Sequence, residues 1–159
     1  MIDSLLNSFR LPKKEAMFRL NRKGITHTIG YLFLLLAVLF LPDMIGTIIR
    51  LESDLTEVSR GLYLAQVFVF YPLLIIFLII VGVSIFAGAA MVMKNVMGRK
   101  LAYQQLWKMS AYASTIPLIL SVLLKNLAVS DWISAVLFIG IFTFLIFRMI
   151  RIYPKAPTK

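Results

Sequence analysis

The chain has no cysteine, so disulfides, thiol catalysis and thiolate metal sites are excluded together. Histidine is almost as scarce. His27 is the single one, and no grouping of His, Asp and Glu has metal-ligand spacing. It sits near the start of the first apolar segment, in "KGITHTIGY", and reads as an interface or packing histidine, with proton sensing the lesser alternative. A Ser/His/Asp hydrolase finds no support. His27 and Asp43 would lie at opposite ends of one helix, about 24 Å apart at 1.5 Å per residue, and no "GxSxG" elbow exists. Phosphate loops are missing as well: "VMGRK" has one glycine and lacks the Walker spacing. These absences lead us to expect a non-enzyme that uses no metal and no cofactor.

What is present is apolar sequence. Of the 159 residues, 60% are hydrophobic and the mean hydropathy is +0.89, well beyond the usual range of soluble domains. A soluble fold of this size could not hide that much apolar surface, so its solvent must be lipid. Four apolar segments stand out, over about 25–49, 62–93, 103–124 and 132–152. A span needs roughly 20 residues to cross about 30 Å of hydrocarbon. The second is too long to cross upright, and must tilt, bend at Pro72 or begin outside the membrane. The third runs from Met109 to Leu124 and reaches full length only if the stretch from Tyr103 forms its first turns. Trp132 and Tyr153 frame the fourth as an aromatic belt, and Asp131 is placed to cap it. The expected fold is an all-α integral membrane protein, a four-helix bundle over 25–152, between a basic arm over 1–24 and a short tail over 153–159. The first segment is too long for a signal peptide and lacks a small-x-small cleavage site, so it is expected to stay as an anchor.

Charge sets the orientation. Six of the seventeen basic residues lie in the arm: Arg10, Lys13, Lys14, Arg19, Arg22 and Lys23. Lys94, Arg99, Lys100 and Lys108 fall between the second and third segments, and Arg148, Arg151, Lys155 and Lys159 at the C-terminal end. The two remaining loops hold Arg50, Arg60 and Lys125 beside Asp43, Glu52, Asp54, Glu57 and Asp131. By the positive-inside rule both termini are expected to be cytoplasmic. This placement flanks apolar runs, so nucleic acid is not the expected partner. In the arm, Ile2, Leu5, Leu6 and Phe9 share one helical face, and Ala16, Met17 and Leu20 another after Leu11-Pro12. We expect an amphipathic helix in the headgroup region, its six cations contacting anionic lipid.

The remaining chemistry is that of helix packing. Ser84 and Gly88 make a small-xxx-small pair, which lets membrane helices approach closely. In "LAYQQLWKMSAYASTIPLIL", Tyr103, Trp107, Ser110, Ser114, Pro117 and Ser121 recur at helical spacing and form a narrow polar stripe. Its hydroxyls can bond across helices or satisfy the carbonyl that Pro117 frees. The stripe packs either inside the bundle or against a partner subunit or lipid.

Two blocks carry a family resemblance. "SFRLPKKEAMFRLNRKGITHTIGYLFLLL" (Ser8–Leu36), a basic arm entering the first helix, and the stretch with Tyr103, Trp107, Lys108, Ser110, Tyr112, Ala113 and Pro117 resemble the bacterial membrane family known as domain of unknown function 1189. That family is typical of Firmicutes and related to Yip-type membrane proteins. The resemblance implies no catalytic residues. It implies instead trafficking or transporter-accessory roles, and for some members a link with sugar-utilisation genes. The short stretch 50–61 between the first two helices departs from family members with a large outer segment. Any function housed there is absent or moved.

Three roles are therefore expected to compete. The first is a small polytopic accessory or scaffold protein, binding a membrane-protein partner such as a transporter or a second copy of itself. The alternative is an oligomeric transporter or lipid-handling protein whose hydroxyl stripe lines a cavity. The third is an anionic-lipid-binding organiser acting through the arm.

Overall fold

A computed structural model describes residues 1–51, 57–127 and 129–155. Glu52, Asp54 and Lys159 lie outside those residues, as do the side chains of Asp43 and Glu57. The described residues form seven α-helices and no strand: α1 (Ile2–Phe9), α2 (Lys14–Asn21), α3 (Ile25–Leu51), α4 (Glu57–Val96), α5 (Tyr103–Ala113), α6 (Thr115–Asn126) and α7 (Asp131–Ile152). Four stretches are long and apolar enough to cross a membrane: Ile25–Pro42, Val69–Val96, Tyr103–Asn126 and Asp131–Ile152.

Local sequence explains where the helices stop. Gly98, at φ +59°, ends α4 in a Schellman turn. The Arg99 N–H returns to Lys94 O at 3.1 Å and the Gly98 N–H to Asn95 O at 3.1 Å. Only glycine takes this left-handed conformation without cost. At the start of α5 the Gln105 side chain reaches back and accepts from the Ala102 N–H at 3.1 Å. Asp131 does not cap α7. Ser130 holds that position without a side-chain bond, and Asp131 is the first helical residue, where its charge complements the helix dipole.

The third span is not one helix. It breaks at Ser114, between α5 and α6, because Pro117 has no N–H to give the carbonyl of Ala113 and its ring crowds that carbonyl. Helical bonding resumes where the Leu118 N–H meets Ser114 O at 2.9 Å. The second segment is longer than its apolar pattern: α4 runs for 40 residues and passes through Pro72. At 1.5 Å per residue that is about 60 Å, twice the hydrocarbon thickness.

The third span is the axis of the bundle, with 56% of its residues buried against 28% in each of the other three. Helix α5 touches α2, α3, α4, α6 and α7. Ala87 and Ala90, both fully buried, let α4 approach α5. Phe86 meets Phe142 with ring centroids 4.6 Å apart, and so ties α4 to α7.

The N-terminal helices form a hairpin folded back onto the bundle. Met17 and Leu20 of α2 are buried against α5 and α7. Helix α1 packs with the opposite polarity. Ser4 and Ser8 are fully buried, whereas Ile2, Leu6 and Phe9 are exposed.

Candidate functional site

The polar face of α1 meets hydroxyls from three other helices. Thr28 Oγ1 of α3 and the Tyr112 hydroxyl of α5 lie 3.1 Å apart. The Tyr31 hydroxyl pairs with Thr115 Oγ1 of α6 at 3.0 Å and donates to Ser8 Oγ at 3.4 Å. The Tyr31 and Tyr112 rings pack with centroids 5.3 Å apart. On the edge of this junction the Lys23 ammonium donates to Ser4 Oγ at 2.7 Å. All four members of the two hydroxyl pairs are buried. In a water-poor interior a hydroxyl without a partner is costly, so the two pairs fix the rotation of α3, α5 and α6 about one point, and the Tyr31–Ser8 bond adds α1.

The residues of the sequence-derived stripe lie around this junction but do not form it. Trp107 is buried and its Nε1–H donates to Ser84 Oγ at 3.3 Å, which joins two residues singled out for different reasons. Ser110 is fully buried, and its Oγ has no partner. Ser114 Oγ donates to Ala111 O at 2.8 Å within its own helix turn. Pro117 is buried and Ser121 half-buried, while Tyr103 is exposed. Gly88 has open space on its Cβ side, with nothing within 4 Å; the close approach belongs to Ala87 and Ala90 instead. His27 is half-buried and its Nδ1 has no partner.

Sequence reasoning missed Thr28, Tyr31 and Thr115. Thr28 and Tyr31 lie together in "THTIGY" at the start of the first segment and Thr115 lies beside Ser114 but off the stripe, and the partners are 23 to 84 residues away. It also missed the role of Lys108, whose ammonium donates to the carbonyls of Asn21 and, at 3.1 Å, Lys23. Those carbonyls end α2 without helical partners, so Lys108 clips the hairpin to the central span.

The basic clusters converge on the end of the bundle where α2 meets the end of α7. Arg99 pairs with Lys155 in an isolated β-bridge. Pro12 shares a cavity of about 370 Å³ with Arg148 and Arg151. Of the six arm cations, Arg10, Lys13 and Arg19 share another of about 280 Å³ with Glu15. Lys14 and Arg22 are exposed, whereas Lys23 is half-buried at the hydroxyl junction. Nearby, Tyr153 is buried and accepts from Asn21 Nδ2 at 2.7 Å. Burial raises its phenol above the ordinary value, and the Asn21 bond opposes that shift in part.

Apolar spans and a buried hydroxyl core define a multi-pass membrane protein. Residues 61–152, more than half of the chain, match the family described as protein of unknown function DUF1189, and the chain belongs to that family. The match includes the Trp107 stretch and begins after the arm and first span. No curated protein and no solved structure matches the chain.

Proposed function

We propose that this protein is a non-catalytic scaffold of the bacterial cytoplasmic membrane, holding a membrane-protein partner or a second copy of itself. The supporting observation is the state of its hydroxyls. Thr28, Tyr31, Tyr112 and Thr115 pair with one another inside the chain. Among the described residues, Ser110, Ser114, Pro117 and Ser121 line none of the five cavities that open on the bundle. A transport path would need such groups to face an open lumen. Because the Ser110–Ser114–Pro117 face is covered by the chain's own helices, the partner is engaged elsewhere. The outward face of α4, with Phe77 and Ile85 well exposed, is one surface available for it in the membrane. Both termini lie in the cytoplasm, and the exposed Ile2, Leu6 and Phe9 anchor α1 at the lipid boundary.

Photo-crosslinking from Phe77 and Ile85 in the native membrane, followed by purification in mild detergent, tests this reading. The expected result is a discrete crosslinked neighbour that co-purifies with the chain. A protein that emerges alone and uncrosslinked from both positions, and that catalyses solute flux or lipid scrambling in liposomes, would replace the scaffold by a transporter.

A further inference from the structure

The largest cavity described is an open groove of about 800 Å³ at the basic end of the bundle, within the size range of small-molecule sites. Four pieces of chain build it. The last turn of α4 gives Lys94 and Asn95, the Gly98 turn gives Arg99 and Lys100, the entry to α5 gives Ala102 and Gln105, and the end of α7 gives Tyr153 and Pro154. Three cations line it and no carboxylate does. Unlike the cavity of the arm, which includes Glu15, it carries uncompensated positive charge.

Its frame is fixed from within the chain. Arg99 Nη1 donates to Tyr153 O, and the Lys100 N–H donates to Pro154 O at 3.2 Å. Arg99 is thus held in place, yet its Nε is buried and has no partner. A buried guanidinium nitrogen without an acceptor is costly unless an anion supplies one. The N-terminus of α5 borders the same groove through Ala102 and Gln105, and the positive end of its dipole favours negative charge there. Leu101, Tyr153 and Pro154 give the groove apolar walls.

We propose that this groove is a phosphate site, in which Lys94, Arg99 and Lys100 bind the phosphate of an anionic lipid headgroup or of a small soluble phosphate ester. Guanidinium and ammonium groups supply charge-assisted bonds to the phosphate oxygens, and the apolar walls receive the glycerol part. The site is distinct from the cations of the arm and independent of the partner that the scaffold reading invokes.

The test uses the full-length protein in phosphatidylcholine nanodiscs and follows hydrogen–deuterium exchange over residues 94–105. One arm adds phosphatidylglycerol to the bilayer and the other adds soluble glycerol phosphate to the buffer. Slowed exchange in either arm is the expected result, and the arm that slows it identifies the source. Removing two cations in Lys94→Gln/Lys100→Gln is expected to weaken the effect roughly thirtyfold, at about fivefold per cation. A second variant guards against misfolding. Gln105→Glu keeps an acceptor for the Ala102 N–H but places a carboxylate in the groove, and is expected to abolish the protection. No slowing in either arm, or slowing that survives in both variants, overturns the proposal.

Discussion

Lys108 illustrates what a single residue can do that its sequence context hides. Beside Trp107 it reads as an interface anchor, a cation at the mouth of an apolar helix. Its acceptors are main-chain oxygens of Asn21 and Lys23, 87 and 85 residues away, and backbone carbonyls leave no mark in a sequence. Lys108→Met keeps the apolar stem and removes the donor. Hydrogen bonds to charged groups contribute about 1.5–3 kcal/mol, so α2 should open locally while the spans stay folded. Hydrogen exchange over residues 14–24 is expected to quicken about tenfold or more, with the α5 and α7 amides unchanged. Unaltered exchange in 14–24 would show that Lys108 only decorates the surface.

At the scale of the element, the seam between α4 and α5 separates what hydropathy can give from what it cannot. Four apolar runs locate four spans because lipid demands about 20 apolar residues per crossing. Rotation about the helix axis is another matter, since a span is apolar on the lipid face and the protein face alike. Small residues surround α4 at Gly82, Ser84, Ala87, Gly88, Ala89 and Ala90, so spacing alone favours Ser84 and Gly88. Instead, Val83, Ala87 and Ala90 are buried, one helical step of 100° away. The same ambiguity governs α1: its period separates Ile2, Leu6 and Phe9 from Ser4 and Ser8 without saying which face meets the bundle. The seam is tested by two substitutions on adjacent residues. Ala87→Leu overpacks a closed contact and should cost about 1–3 kcal/mol, visible as a lowered Tm in detergent. Gly88→Ala meets open space and should cause no loss of Tm. Equal falls in both would mean that α4 is turned the other way.

Across the whole molecule, the fold gathers charge that the sequence scatters over three segments. Fourteen basic residues, namely six in the arm, four between the second and third spans and four at the C-terminal end, precede or follow spans that would place them on one side. The Lys108 clip, the Arg99–Lys155 bridge and the cavity shared by Pro12 with Arg148 and Arg151 bring their elements to one end of the bundle. Each Lys or Arg near an anionic leaflet contributes about 1 kcal/mol, so the excess over the three residues of the other loops favours one orientation, with this end at the anionic leaflet. The absence of cysteine makes this directly measurable, because any thiol introduced is the sole reactive one. Asn95→Cys reports on the basic end and Asn126→Cys on the other, both at exposed positions. A membrane-impermeant maleimide applied to intact cells is expected to label Asn126→Cys alone, and both after permeabilisation. Labelling of Asn95→Cys alone in intact cells would invert the topology and place the phosphate groove outside the cell. Labelling of both would mean that the two ends are not separated by a bilayer, which is incompatible with four crossings.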